Sequence, residues 1–208
     1  MINIIALFTM LLDHIGQVFF PNIAFFTIVG RFTFPLFAWG IAKGFKRTNN
    51  VKKYALRLFV LAVISQYPHY MLFKNEYLNV CFTLLSGLLI LIIYESNTSY
   101  LIKIPAILGM LMVTHILNFE YGIYGIATIV IFYIFEGKYY LIFIQALATI
   151  FGIILYRYYP VQIISVLATI IIILLQKYNF KINSIIRYGF YPMHITILLL
   201  LTYILSTN

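Results

Sequence analysis

The sequence has too few charged residues to form a water-soluble domain. Only 9% of its 208 residues are charged, whereas 63% are hydrophobic. A domain folded in water needs more polar surface than this composition supplies. We therefore predict a single polytopic membrane domain over residues 1–208 that is all-α, because helices satisfy their own backbone hydrogen bonds within a bilayer.

The motifs of several enzyme classes are also absent. Cys81 is the single cysteine, which excludes an intramolecular disulfide. The sequence contains no Gly-rich phosphate loop, Walker lysine motif or paired-cysteine motif. The four histidines do not show the HxxxH or ExxH spacing of a helical metal site, so no metal is expected.

Apolar runs predict about nine transmembrane helices joined by short connections. A helix needs about 20 residues to cross a bilayer, and the chain has no repeat at a fixed period and no linker that would divide it. The predicted spans are 2–20, 22–42, 54–73, 78–95, 100–118, 121–136, 138–157, 159–176 and 185–206.

The net charge of +9 is distributed as in a membrane protein and does not indicate nucleic-acid binding. Cytoplasmic connections are rich in Lys and Arg, so the bias predicts an N-inside, C-outside topology. The same basic groups could also hold an anionic cytosolic cofactor or acidic lipid head groups. Eleven of the fourteen basic residues fall on the predicted cytoplasmic side, namely Lys43, Lys46, Arg47, Lys52, Lys53, Arg57, Lys103, Lys138, Lys177, Lys181 and Arg187.

Asp13 and His14 interrupt the first apolar span, and Arg31 interrupts the second. Ionisable groups are costly inside a bilayer, which favours a functional role. Asp13 could orient His14 as a general base, or it could pair with Arg31 in a structural ion cluster. The sequence leaves both arrangements open, because adjacent helix positions point about 100° apart.

Further polar residues collect in the predicted outer half of the membrane, near the level of Asp13. His69 and His115 are also explained by interfacial or interhelical hydrogen bonds, whereas His194 lies deeper and follows Pro192. The candidate substrate-binding residues are Gln66, His69, Asn79, Thr83, Glu120, Tyr121, Tyr191 and His194.

Seven blocks spread along the chain resemble the TraX family, and they occur in the order found in that family. The first contains Asp13 and His14, and the second contains Arg31. The blocks are IALFTMLLDHIG (5–16), GRFTFPLFA (30–38), GFKRT (44–48), LAVISQYP (61–68), LNVCFTLLSG (78–87), EYGIYG (120–125) and YPMH (191–194).

The resemblance implies a multi-pass acetyltransferase of the bacterial cytoplasmic membrane that is similar to the enzyme acetylating the amino terminus of F-type pilin. It implies acetyl-CoA as the acyl donor and a pilin-like peptide as the acceptor in the outer half of the bilayer. His14 would be the base or acyl-transfer residue, Asp13 its partner and Arg31 a charge clamp. Lys43, Lys46 and Arg47 are the candidate cofactor-binding residues, and the oligomeric state is left open.

Two other classes of protein have similar sequence features. A small proton-coupled transporter also places Asp, His and Arg at the midplane and breaks its helices with proline. A non-enzymatic membrane assembly protein would use the same polar cluster for structure alone. Acetyl transfer that depends on His14 distinguishes the enzyme from both.

Overall fold

The computed structural model describes residues 1–178 and 183–207, and all regular structure in these residues is helical. This confirms the predicted all-α fold class. The helices are α1 (Ile2–Phe19), α2 (Ala24–Arg47), α3 (Val51–Phe73), α4 (Val80–Glu95), α5 (Tyr100–Ile116), α6 (Gly122–Ile134), α7 (Leu141–Tyr156), α8 (Leu167–Leu175) and α9 (Ser184–Thr207).

The connection between α2 and α3 is shorter than predicted, since both helices extend beyond their predicted spans to Arg47 and from Val51. Lys46 and Arg47 lie in the last turn of α2, where positive charge complements the helix dipole. The Asn50 side chain accepts a hydrogen bond from the Lys53 amide and caps α3. The basic cluster therefore lies mainly on helix ends and not in a loop.

The eighth predicted span does not begin as an α-helix. Pro160–Val166 forms a 3₁₀ helix that precedes α8. Pro160 suits the first position, where a backbone N–H has no helical partner. Gln162 in this segment is only 2% exposed, so the 3₁₀ helix carries a polar side chain into the bundle.

Three helical stretches are long and apolar enough to cross a membrane, namely Ile2–Phe19, Ala24–Arg47 and Tyr188–Ser206. Other apolar helical stretches are shorter and have 10–17 residues. Many large apolar side chains on α5 and α7 face outwards, as expected for a surface that meets lipid. These features indicate a membrane protein, whereas nine complete crossings stay a prediction.

One end of the bundle collects the basic groups, and we call it the basic end. The amino group of Met1 lies 3.4 Å from the Tyr178 carbonyl oxygen, and Lys43 contacts Glu136. The start of α1 therefore lies near the ends of α2, α6 and α8, as alternating spans require. Lys181, which the sequence assigned to this side, lies outside the described residues.

The opposite end, here called the far end, is joined by backbone hydrogen bonds between two connections. The Leu78 amide donates to the Asn118 carbonyl at 3.1 Å, and the Glu120 amide donates to the Leu78 carbonyl at 2.9 Å. These bonds fix the α3–α4 connection against the α5–α6 connection. They also hold Glu120 beside the start of α4.

The first two helices pack closely because each places a glycine against a side chain of the other. A Cβ atom at Gly16 would overlap the Phe26 side chain, and one at Gly30 would overlap the Asp13 carboxylate. Between these contacts and the basic end, the Thr33 hydroxyl lies 2.9 Å from the Thr9 hydroxyl. The helix pair therefore holds Asp13, His14 and Arg31 in one fixed region.

Candidate active site

Two imidazole rings meet where α1 packs against α9. Nδ1 of His14 lies 2.7 Å from Nε2 of His194, and the ring centroids are 4.9 Å apart. Nδ1 of His194 lies 2.7 Å from the Phe190 carbonyl oxygen, one helical turn earlier. The rings of Phe73 and Tyr191 flank His14 at centroid distances of 5.0 and 6.2 Å. The site thus contains a histidine pair enclosed by aromatic side chains.

Asp13 is bonded to neither of the partners that the sequence left open. Its Oδ2 accepts a hydrogen bond of 3.0 Å from Nε2 of Gln17, one turn along α1. The carboxylate also lies against the backbone of Gly30. The described structure contains no hydrogen bond between Asp13 and His14 and no salt bridge between Asp13 and Arg31.

Arg31 is directed towards the 3₁₀ helix. Its Nη1 donates a hydrogen bond of 2.9 Å to Oε1 of Gln162. Its Nε is buried and has no hydrogen-bond partner in the structure. A buried donor without a partner is costly, so this N–H is available to a bound ligand.

Three of the predicted substrate-binding residues have structural contacts at the far end. The Asn79 side chain caps α4 by accepting from the Cys81 amide, and it donates to the Ala62 carbonyl. Gln66 accepts hydrogen bonds from both the backbone and the side chain of Asn79. The Thr83 hydroxyl donates to the Glu120 backbone carbonyl. These contacts join α3 and α4 to the α5–α6 connection.

Two further predicted residues face each other nearer the histidine pair. Nε2 of His69 lies 3.8 Å from a carboxylate oxygen of Glu120, and its ring is 5.1 Å from that of Phe73. Nδ1 of His69 is buried without a partner. Tyr121 has a positive φ of 62° and stacks on Phe34 at 4.1 Å. Phe73 therefore links His69 to His14, whereas Tyr121 packs on α2.

A cavity of about 540 Å³ leads from the basic end into the bundle, and we call it the basic cavity. Its mouth is lined by basic side chains, and its deeper walls include Leu7, Met10, Cys81 and Tyr191. Tyr191 is in ring contact with His14, so the inner end of the cavity lies one side chain away from the histidine pair. The basic lining residues are Lys43, Arg47, Lys53 and Arg57.

The three predicted cofactor-binding residues differ in position. Lys43 and Arg47 line the basic cavity, whereas Lys46 donates to the Tyr133 carbonyl and to Glu136 outside that lining. Lys43 also contacts Glu136, at 2.5 Å. Burial acts to raise the pKa of Glu136, but hydrogen bonds from Lys43 and Lys46 outweigh it and lower that pKa. The carboxylate is therefore ionised and draws both lysines towards α6.

A second cavity, of about 360 Å³, opens at the far end, and we call it the far cavity. Its lining includes Gln17, Thr27, Phe73 and Asn75. Within the described part of the chain, no Lys or Arg side chain lines it. Phe73 contacts His14, and Gln17 is bonded to Asp13. The histidine pair thus lies between the two cavities.

Sequence reasoning missed several residues of this site. Gln162 carried a signal, because an amide inside an apolar span is unusual, but nothing in the pattern linked it to Arg31. Phe73 and the Phe190 carbonyl gave no signal, since one is an apolar residue and the other is backbone. Glu136 was missed because it ends a predicted span and lies 93 positions along the chain from Lys43, which it binds.

Comparison with known proteins agrees with the family resemblance. A family model described as TraX protein matches residues 1–202. The chain belongs to the TraX family. It is also 31% identical over 142 residues to the probable fimbrial assembly protein FimC, serogroup H1, of Dichelobacter nodosus. That match covers 60% of this chain and 57% of the relative, so the chain aligns with little more than half of it. No solved structure matches the chain.

Proposed function

We propose that this member of the TraX family is a membrane acetyltransferase that moves an acetyl group from cytosolic acetyl-CoA to the N-terminal amine of a pilin-like peptide. The chief support is the basic cavity, which runs from a cationic mouth to Tyr191, the side chain in ring contact with His14. The family and the relative named for fimbrial assembly support the pilin-like acceptor.

The basic cavity has the two properties that an acyl-CoA requires. Lys53 and Arg57 at its mouth can neutralise phosphate groups, which bind well to cationic side chains. Leu7 and Met10 give its interior an apolar wall for the acyl-carrying arm. A donor bound in this way would present its thioester near Tyr191, which contacts His14.

In this proposal the acceptor enters through the far cavity. Its lining side chain Phe73 contacts His14 from the other side. An amine entering there would reach the imidazole without crossing the basic cavity. His14 would remove a proton during attack on the thioester, and the uncommitted Nε–H of Arg31 would stabilise the developing oxyanion.

Acetyl transfer by the purified protein in lipid nanodiscs tests the proposal. The assay uses radiolabelled acetyl-CoA and a pilin-like peptide with a free or a blocked amino terminus. We expect transfer to the free peptide alone, and we expect His14→Gln to lower kcat by at least about 100-fold while acetyl-CoA binding persists. His115→Gln is the control, because that histidine is exposed on α5. Transfer by His14→Gln at the wild-type rate would refute the role of His14.

A second candidate is a non-catalytic role in pilus assembly, which the name of the fimbrial relative favours. In that case the polar cluster would serve structure or peptide binding alone. The wild-type protein would then bind the peptide without acetylating it, and the His14→Gln variant would behave in the same way.

A further inference from the structure

The hydrogen bonds of the histidine pair indicate which ring nitrogens carry protons. We propose that His194 is a positioning residue that holds His14 in the tautomer protonated at Nδ1, so that Nε2 of His14 is the proton acceptor. The catalytic consequence rests on the proposed function. The tautomer itself follows from geometry and can be tested without any activity.

The argument begins at the Phe190 carbonyl, which can only accept a hydrogen bond. Nδ1 of His194 lies 2.7 Å from that oxygen, so this nitrogen carries the proton. Neutral His194 then has a lone pair at Nε2. Nδ1 of His14, 2.7 Å away, must donate to that lone pair. Nε2 of His14 is left without a proton and can act as a base.

This arrangement replaces the acid that usually orients a catalytic histidine. In the familiar triad a carboxylate accepts from Nδ1 of the base. Asp13 is next to His14 in sequence, but its carboxylate accepts from Gln17 and lies against Gly30. A neutral imidazole therefore performs the orienting task.

The proposed reaction balances with this tautomer. The amine nitrogen forms a bond to the thioester carbonyl carbon, and one amine proton moves to Nε2 of His14. The resulting imidazolium keeps its Nδ1–H bond to His194 and is stabilised by it. The C–S bond then breaks, and the leaving thiolate takes the proton from Nε2. The products are an N-acetyl amide and free thiol, and both histidines return to their starting state.

Nitrogen NMR of the full chain in nanodiscs tests the tautomer directly. With ¹⁵N-labelled histidine, long-range ¹H–¹⁵N correlations distinguish imidazoles protonated at Nδ1 from those protonated at Nε2. His14→Gln and His194→Gln assign the signals. We expect both rings to be protonated at Nδ1 in the wild type. A His14 ring protonated at Nε2 would overturn the inference, whatever the protein catalyses.

A pair of substitutions tests the catalytic consequence. His194→Gln can place an amide oxygen near the former Nε2 and still accept from His14, whereas His194→Leu cannot. We expect kcat to fall by about 100-fold or more in His194→Leu and by less than about tenfold in His194→Gln, with the KM for acetyl-CoA unchanged in both. His115→Gln is again the control.

Equal losses in the two variants, or a loss confined to KM, would show that His194 acts by packing or substrate contact and would overturn the inference. If His194→Leu does not fold, the wild-type tautomer and the activity of His194→Gln still test the inference. Absence of activity in the wild type would refute the proposed function, while the NMR result would stand by itself.

Discussion

The two cavities on either side of His14 differ in charge. The basic cavity is lined by Lys43, Arg47, Lys53 and Arg57, whereas the described lining of the far cavity has no Lys or Arg. Each cavity is separated from the same imidazole by one aromatic side chain, Tyr191 or Phe73. The molecule thus has a cationic cavity and a cavity without a described Lys or Arg on either side of a single histidine.

This contrast indicates ligands of different chemistry. A phosphate-bearing donor fits the entrance lined by lysine and arginine. The far cavity instead leads through Gln17 to the Asp13 carboxylate, a hydrogen-bond acceptor that suits the N–H groups of a neutral amine. In the proposed function, the two entrances would keep the ligands apart until both approach His14. Variants that alter one entrance and not the other test whether the two cavities bind different ligands.

Charge reversal at the basic mouth should have the largest effect. The double variant Lys53→Glu, Arg57→Glu should raise the Kd of acetyl-CoA by about 100-fold, because charged hydrogen bonds contribute about 1.5–3 kcal/mol each. Isothermal titration in nanodiscs measures this Kd. Lys52→Glu is the matched control, since Lys52 is adjacent in sequence but does not line the cavity. Equal weakening in the control would assign the effect to overall charge and remove the contrast between the cavities.

Gly30→Ala should lower the free energy of unfolding. The added Cβ would overlap the Asp13 carboxylate, and overpacking of this kind costs about 1–3 kcal/mol. Thermal unfolding in detergent should show a lower Tm. Gly109→Ala is the control, because no atom lies within 4 Å of its added Cβ. If Gly30→Ala were as stable as the wild type, the close fit of Asp13 between α1 and α2 would be wrong.

Gln17→Leu should weaken acceptor binding without affecting the donor. It removes the hydrogen bond to Asp13 and a polar group from the far cavity. We expect the KM for the peptide amine to rise by about tenfold, the value of one hydrogen bond to a charged group, with an unchanged Kd for acetyl-CoA. A changed donor Kd would mean that the two cavities are not separate sites.

The sequence predicted where most helices lie because these are apolar runs bounded by polar residues, whereas the eighth predicted span begins as a 3₁₀ helix. Asp13, His14, Arg31 and His194 also stood out, since ionisable groups are rare in such runs. Their pairing could not be predicted. His14 and His194 are 180 positions apart, and the period of a helix gives directions on that helix alone.

Other features escaped prediction for different physical reasons. Gln66, Asn79 and Thr83 are predicted substrate contacts because polar residues in a membrane suggest function. In the structure Asn79 caps α4 and bonds Gln66, and Thr83 bonds the Glu120 carbonyl, contacts that also satisfy buried polar groups. A single sequence does not distinguish these two uses, because both place the same residue types at the same depth.

Glu136→Gln should change the affinity for acetyl-CoA least, and whether binding becomes tighter or weaker is informative. Glu136 draws Lys43 and Lys46 towards α6, so neutralising it should leave more positive charge near the basic mouth. We expect acetyl-CoA to bind about two- to fivefold more tightly, and stability to fall by at most about 1 kcal/mol, since the ion pairs are partly exposed. Titration of acetyl-CoA measures the first change and thermal unfolding the second. Weaker binding would show instead that Glu136 holds Lys43 in the orientation that the donor requires. That result would make the ion pair part of the basic cavity, whereas tighter binding would make Glu136 a counter-charge that limits donor affinity.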